Sequence, residues 1–493
     1  MNAHKSGRLN QAHNIPTFAV APVTRAVRAA LAVSLTLLAL GSSSAAFAAG
    51  TCVFAAPATT SCDGAFIGTT QHPNFTPIDD PTLVRDHAVP NSVTPANGLI
   101  GIDANGGGSV GTTHADITTV GDDEIFAPSP GSASVGAAHG TITYASVTDA
   151  KLLGTEAFDD VNYVNNGPIN AYGTGAYDVT AVNSYSATGG DTVDNQAAGT
   201  INAVAQDGNA VAINASGYTN ATVTNEGAIT ASSVNGVAVG VIAQAYNGNA
   251  SATNSGSITA TSTGYQAVGI LASSNAGYAS VINSGSVTAS GGQDQAVGIE
   301  AFGQTGSSVY NTGSVTATST AGTAIGILAQ TVNGNATIAN TSGITVTAGY
   351  NAVGLSAITA NGDASATSSG FMEVIGHGGL TSVIEAYSAV GNANASNSGF
   401  VISGSYGGNA VGVSATSGDG SATASNTSAG YLRVVAPGGA TNYATGISAK
   451  TYNGDATASN DGTVYASSTL GVGIGINVSA TGEIGRASCR ERV

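Results

Sequence analysis

The sequence predicts an all-β chain wound as a right-handed parallel β-helix, with about 29 residues in each coil. Three observations predict it: a hexamer returning at near-constant intervals, an asparagine keeping the same beat, and an apolar period of two within each unit. The hexamer Ala-Val-Gly-Ile-x-Ala begins at Ala238, Ala267, Ala296, Ala324, Ala352, Ala410 and Ala444, with a weaker copy at Thr381. Successive steps are 29, 29, 28, 28, 29, 29 and 34 residues. The second marker falls at Asn225, Asn254, Asn283, Asn311, Asn340, Ser368, Asn397, Asn426 and Asn460. Turn formers such as Asn247-Gly248-Asn249 and Asn333-Gly334-Asn335 separate the two.

The ends read differently from the middle. Residues 1–48 have the form of a signal peptide: Lys5, Arg8, Arg25 and Arg28 without an acid, the apolar run Ala29 to Leu40, and Ala46-Phe47-Ala48 as a cleavage site. A run of twelve is too short to anchor in a bilayer, so the chain is expected to be exported. Residues 49–165 are irregular and are expected to form an N-terminal cap with the first irregular coils. Cys52 and Cys62 lie there with nine residues between them, and in an exported chain they are expected to close a small disulfide loop. The repeats then occupy 166–482. Residues 483–493 carry three of the eleven Lys and Arg residues and resemble a translated sequencing adapter, so the native frame is expected to continue beyond Gly482.

Within one unit the residues sort into three short strands. In the hexamer the fifth position is Ile242, Leu271 or Leu328 in some copies and Glu300, Ser356, Glu385, Ser414 or Ser448 in others, so it is assigned to water. Positions two, four and six are then inward, which are Val268, Ile270 and Ala272 in the second copy. The next strand puts Ala279 and Val281 inward and ends on Asn283, which shares their parity. A polar side chain is tolerated there at a corner, where stacked amides bond along the axis; the same role is expected of Asn225, Asn254, Asn311, Asn340, Asn397, Asn426 and Asn460. The third strand turns Val287 and Ala289 inward and Thr288 outward. Thr230, Thr259, Thr261, Thr288, Thr316, Thr318, Thr345 and Thr347 therefore form an outward Thr-x-Thr or Thr-x-Ser face over five coils. Nine or ten coils at roughly 4.8 Å each make a rod of about 45 Å.

Charge narrows the function. Ala49 to Gly482 holds 26 acids against 4 bases, a formal charge of −22, so neither nucleic acid nor an anionic membrane surface is an expected partner. His72, His87, His114, His139 and His377 are scattered without metal-ligand spacing, and the calcium nonapeptide is missing, so no metal, cofactor or catalytic residue is assigned. Ser417-Gly418-Asp419-Gly420-Ser421 sits in the repeat frame as a turn rather than as a serine nucleophile. Glu300, Glu373 and Glu385 lie apart in that frame.

The signal peptide, the close cysteine pair, the Gly/Ala/Asn-rich repeats and the scarcity of lysine together resemble the passenger of a Gram-negative autotransporter. The resemblance spans residues 1–482 and rests on architecture, without a diagnostic motif. It implies export through a C-terminal translocator β-barrel, display at the cell surface or release, and contact with host cells, abiotic surfaces or other copies as adhesin or structural rod. No amphipathic barrel strands follow Gly482. A polysaccharide-active β-helix enzyme and a Thr-x-Thr solenoid that orders water or ice are the alternative expectations.

Overall fold

The structure, a computed structural model, describes residues 178–481 except 187 and 440; outside that span it describes strand segments only, from Cys52–Ala55 to Pro168–Gly173 and at Ser488–Glu491. It is an all-β parallel solenoid of about 29 residues per turn, with no helix among the described residues. From Val161 to Ala480 the strands recur in threes, giving 11 coils. One coil illustrates them all: Ala250–Asn254, Ser257–Ser262 and Ala267–Ser274. Each strand pairs in parallel with its equivalents above and below, so each coil contributes one strand to each of three sheets, named here the asparagine, threonine and hexamer sheets in chain order. Coils are numbered from Val161, so this is coil 4.

The count exceeds the nine or ten expected because coils 1 and 2 disguise the hexamer. Their third strands read Val179-Thr180-Ala181-Val182 and Ala210-Val211-Ala212-Ile213, with alanine where later coils have glycine. Parallel pairing also reaches upstream of residue 166, where Val161–Asn165 pairs with Asp191–Asn195 and Ile142–Ser146 with Pro168–Gly173. The 34-residue step is absorbed outside the strands: the turns after Ala422–Asn426 and Tyr431–Ala436 are lengthened, and Asn426 still pairs in register with Asn460.

The interior is a narrow column of small and β-branched side chains. Ile258 and Ala260 of the threonine sheet, Ile270 and Ala272 of the hexamer sheet, and Ala250 and Ala252 of the asparagine sheet are buried in one coil and recur in type through the rest. One coil cannot close this core alone, because every inward side chain is capped above and below by its own equivalent.

Polar side chains close the first corner in every coil and the other two in some coils, while others carry small residues there such as Gly291, Ala348 or Ala245. At the first, seven asparagines from Asn165 to Asn340 are joined head to tail, Nδ2 of one donating to Oδ1 of the next at 2.7 Å. The second amide hydrogen turns to a local carbonyl, for example Gly313 O at 2.8 Å from Asn311. Asn340 donates to the Ser368 hydroxyl at 3.1 Å, and Asn397, Asn426 and Asn460 continue the chain at 2.8 Å. The other two corners use hydroxyls. Ser262 Oγ donates to Gly236 O of the coil below at 2.6 Å and accepts from Tyr265 N; Ser417 Oγ likewise donates to Gly391 O and accepts from Gly420 N, both at 2.8 Å.

The hexamer sheet departs from simple alternation. Residues 1, 3, 4, 6 and 8 of its strands face inward and residues 2, 5 and 7 outward, as in Ala410–Ser417, where only Val411, Ser414 and Thr416 are half-buried. The third residue is skipped in the pairing register, so two consecutive residues point into the core as at a β-bulge. Val268 is therefore an outward residue, against the parity inferred above, because simple alternation cannot register an extra inward residue. The bulge explains the glycine. A Cβ on Gly298 would stand 2.5 Å from Val315 Cγ1, and one on Gly269 2.3 Å from Val287 Cγ1. Coils 1, 2 and 8 accommodate Ala181, Ala212 and Val383 there, all fully buried.

Two mutations test these constraints by thermal or urea unfolding. Asn283→Ala removes one amide from the middle of the ladder and strands its neighbours' groups, costing about 2–4 kcal/mol, with Asn283→Ser costing less because a hydroxyl already serves in coil 8. Gly298→Ala costs about 1–3 kcal/mol, and Val315→Ala in the same chain recovers part of it, giving a non-zero coupling energy in the double-mutant cycle.

Candidate functional surfaces

A solenoid with a filled core presents its chemistry on its outer faces. Among the described residues no group of three or more His, Cys, Asp or Glu side chains is placed to hold a metal ion. Glu300 and Glu385 share one outward column of the hexamer sheet but stand three coils apart, about 14 Å at the usual strand spacing, which exceeds the reach of a carboxylate acid–base pair. Glu373 lies on the threonine sheet. Ser417 has its hydroxyl committed to the corner described above.

The threonine sheet carries the most regular exterior. Thr230, Thr259, Thr288, Thr316 and Thr345 are neighbours in one column, and Ser232, Thr261, Ser290, Thr318 and Thr347 in the next, all half-buried. Rows are spaced at roughly 4.8 Å along the axis and columns at roughly 6.6 Å along the strand. The grid offers methyls and hydroxyls and no concavity.

Above coil 7 the same columns change character. The first reads Glu373, Ile402, Arg433 and Tyr465, and the second Ile375, Gly404 and Val435. Beside them, where the strands enter the face, Phe371, Phe400 and Tyr431 stack with ring centroids 5.9 and 4.5 Å apart and interplanar angles of 12° and 4°. Phe371 and Phe400 are each 44% exposed. At the far corner His377 stacks on Tyr406 at 5.3 Å. These aromatics recur with the coil, and their spacing, with Phe371 and Phe400 29 residues apart, is a signal that the sequence carries on the second strand.

The outward side of the hexamer sheet is apolar in coils 3–6, with Val239, Ile242, Val268, Leu271, Val297, Ile325 and Leu328. These side chains lie outside the main core cluster yet are screened from solvent, Leu328 completely, so the fifth position does not face water in these coils. No described strand lies over them. Glu300, in the same column, is buried with no hydrogen-bond partner for Oε1, and desolvation pushes its carboxyl up to about 7.

Among the described residues Asp191 is the one carboxylate aimed into the core, at a position that is alanine in coil 3 and coil 4. Burial pushes it up to about 7, opposed by hydrogen bonds from Ser184 Oγ at 2.6 Å and Ser216 N at 2.7 Å.

The asparagine corner holds every residue assigned to it from sequence, together with Asn165 and Asn195, which the hexamer alignment did not reach. The Cys52–Ala55 and Thr59–Cys62 strands pair antiparallel with Cys52 opposite Cys62; the two side chains lie outside the described residues. The residues expected to form a signal segment and a cap, 1–48 and 49–165, likewise fall outside them, apart from strand backbone and the side chains of Tyr163 and Asn165. No family model, no curated protein and no solved structure matches this chain.

Asp191 predicts a pH dependence. Its folded value lies above the ordinary 3.8, so the fold holds the proton more tightly than the unfolded chain does, and this group's contribution is greatest below about pH 4 and is lost as pH rises toward about 7. Asp191→Asn is expected to unfold at higher urea than the parent at pH 8, by about 2–4 kcal/mol, and to lose that advantage near pH 4. Equal midpoint differences at the two pH values would contradict it.

Proposed function

We propose that this chain is the exported, repetitive passenger region of an autotransporter-type surface protein, acting as an adhesive or display rod. The observation that carries the reading is an uninterrupted stack of 11 coils whose register never slips while its outward side chains vary from coil to coil. Such a scaffold converts sequence into a long ordered surface and leaves no interior for a small substrate. The N-terminal signal-like segment, the acidic and lysine-poor repeats and the paired cysteine strands support export, with a translocator β-barrel as the partner in secretion. Vectorial folding suits the architecture, because each coil emerging from a pore completes the core of the coil before it. Adhesion then works through many weak contacts along the rod to host cells, abiotic surfaces or other rods, with multivalency supplying the strength.

The test is surface display. The chain from Ala49 onward, fused to a bacterial outer-membrane barrel and detected by antibody on intact cells, is compared with an in-register deletion of coils 3–10, Ala221 to Thr451. Adhesion to epithelial cells, to plastic or between bacteria is expected to fall about tenfold or more on deletion, at equal surface display. Equal adhesion by both forms on all three targets overturns the adhesive reading.

A further inference from the structure

We propose that the threonine sheet of coils 8–10 is a self-complementary contact surface that joins two copies of this chain as antiparallel rods. The inference deepens the adhesive-rod reading by naming one partner, and takes only its cellular setting from that reading.

The starting point is the abrupt change in the outward columns. Five coils carry threonine at one position, and the next three carry Glu373, Ile402 and Arg433. Folding does not call for the change, because outward positions do not contribute to the core. The three form a symmetric set: an acid one coil below an isoleucine, a base one coil above it. The aromatic stack of the exposed Phe371 and Phe400 with the half-buried Tyr431 is centred on the same middle coil.

Two copies meeting face to face have their two-fold axis in the plane between them. An axis parallel to the strand Phe400–Ser405, passing over Ile402, exchanges coil 8 with coil 10 and sets the rods antiparallel. Glu373 then faces Arg433 of the second copy, and Arg433 faces its Glu373. Ile402 meets Ile402, and Phe371 meets Tyr431 across a central Phe400–Phe400 contact. Gly404 sits beside the axis, where a Cβ would find nothing nearer than Ile375 Cγ1 at 3.9 Å, so the two backbones can approach there. An axis along the rod is the competing arrangement. It places Glu373 on Glu373 and Arg433 on Arg433, and like charges in contact cost several kcal/mol. The charges therefore select the antiparallel pair.

A six-residue strand is about 20 Å long and five facing coils span about 24 Å, so coils 7–11 bury about 1,000 Å² in total, the lower bound for a specific interface. One pair of rods should dimerise weakly. Arrays of rods on apposed surfaces would gain from multivalency.

The test uses sedimentation equilibrium of the full chain at low ionic strength, with dimer formation expected to rise with concentration and to weaken with added salt. Arg433→Glu and Glu373→Arg should each raise the dissociation constant about tenfold or more, and the two together should bring it back to within about threefold of the parent, since the swap restores the pairing. Ile402→Cys, on the axis, should form an intermolecular disulfide faster than Thr288→Cys, both measured against the parent chain with its own cysteines. Because the substituted side chains point outward, circular dichroism and melting temperature should stay at parental values. A chain that remains monomeric to about 0.5 mM, weaker than any useful pair contact, overturns the proposal. So does a dimer indifferent to the single swaps, or one not restored by the double. Cell adhesion unchanged by deletion of coils 3–10, with dimerisation of the full chain intact, would instead overturn the proposed function and leave this contact standing.

Discussion

The fixed register of one coil upon the next is the constraint on which the rest of this structure depends, and the buried asparagine ladder enforces it most strictly. An amide in a dry core must satisfy two donors and an acceptor. Here the acceptor and one donor are met by the equivalent amides one strand spacing below and above, and the second donor by the local turn. A slip by two residues would put an inward aliphatic such as Val223, Ala252 or Val281 opposite each amide and leave all of them unpaired, and a slip by one would turn the neighbouring side chain to the other face. The apolar column, by contrast, tolerates Val, Ile, Leu or Met at equivalent positions, as Val315, Ile344, Met372 and Leu432 show. Packing supplies the cohesion; the ladder supplies the uniqueness.

The three corners divide this work. The asparagine corner bonds side chain to side chain in two runs, Asn165 to Ser368 and Asn397 to Asn460. The hydroxyl corners bond side chain to the backbone of the coil below, so each is an independent clasp. That difference accounts for where irregularity is admitted. Ser368 enters the asparagine line with a longer bond and the line resumes at Asn397, whereas Ser and Thr exchange freely at the clasps, as Ser417 and Thr451 do. The longest insertions enter the turns of coil 10, outside all three strands, and leave the sheets undisturbed.

How much of this was legible in the sequence follows from the same physics. The 29-residue period, the strand character and the ladder from Asn225 onward are imprinted repeatedly, because each coil must solve the same packing problem. The third strands of coils 1 and 2 fall in the span assigned to repeats yet escape the hexamer alignment, because Ala181 and Ala212 fit the bulge and so remove the glycine that marks it. The bulge itself was invisible to counting by twos: an extra inward residue at Gly269 looks the same as alternation until the pairing shows it skipped. Val268 was consequently turned the wrong way. Water was also assigned to Leu328 from the polarity of its equivalents in other coils, yet burial varies along a column even when direction does not. The aromatic stack on the threonine sheet left a readable trace at Phe371 and Phe400, 29 residues apart, but a search tuned to repeated residue types discards the coils that differ.

In a repeat protein those differences carry information of two kinds. An inward departure has to be compensated on the spot: Asp191 draws hydrogen bonds from Ser184 and Ser216, and Val383 occupies a bulge that is glycine in the coils on either side of it. Inward variety is therefore limited by stability and reports on folding. An outward departure on the threonine sheet perturbs no buried group, and for a scaffold alone it should drift without pattern. Glu373, Ile402, Arg433 and the stacked rings beside them do not drift. They fall in consecutive coils, on one face, with opposite charges at equal distances from a shared centre. Folding supplies no reason for that arrangement, which is why the exterior of coils 8–10, rather than the better repeated threonine grid below it, is where recognition by this chain is to be sought.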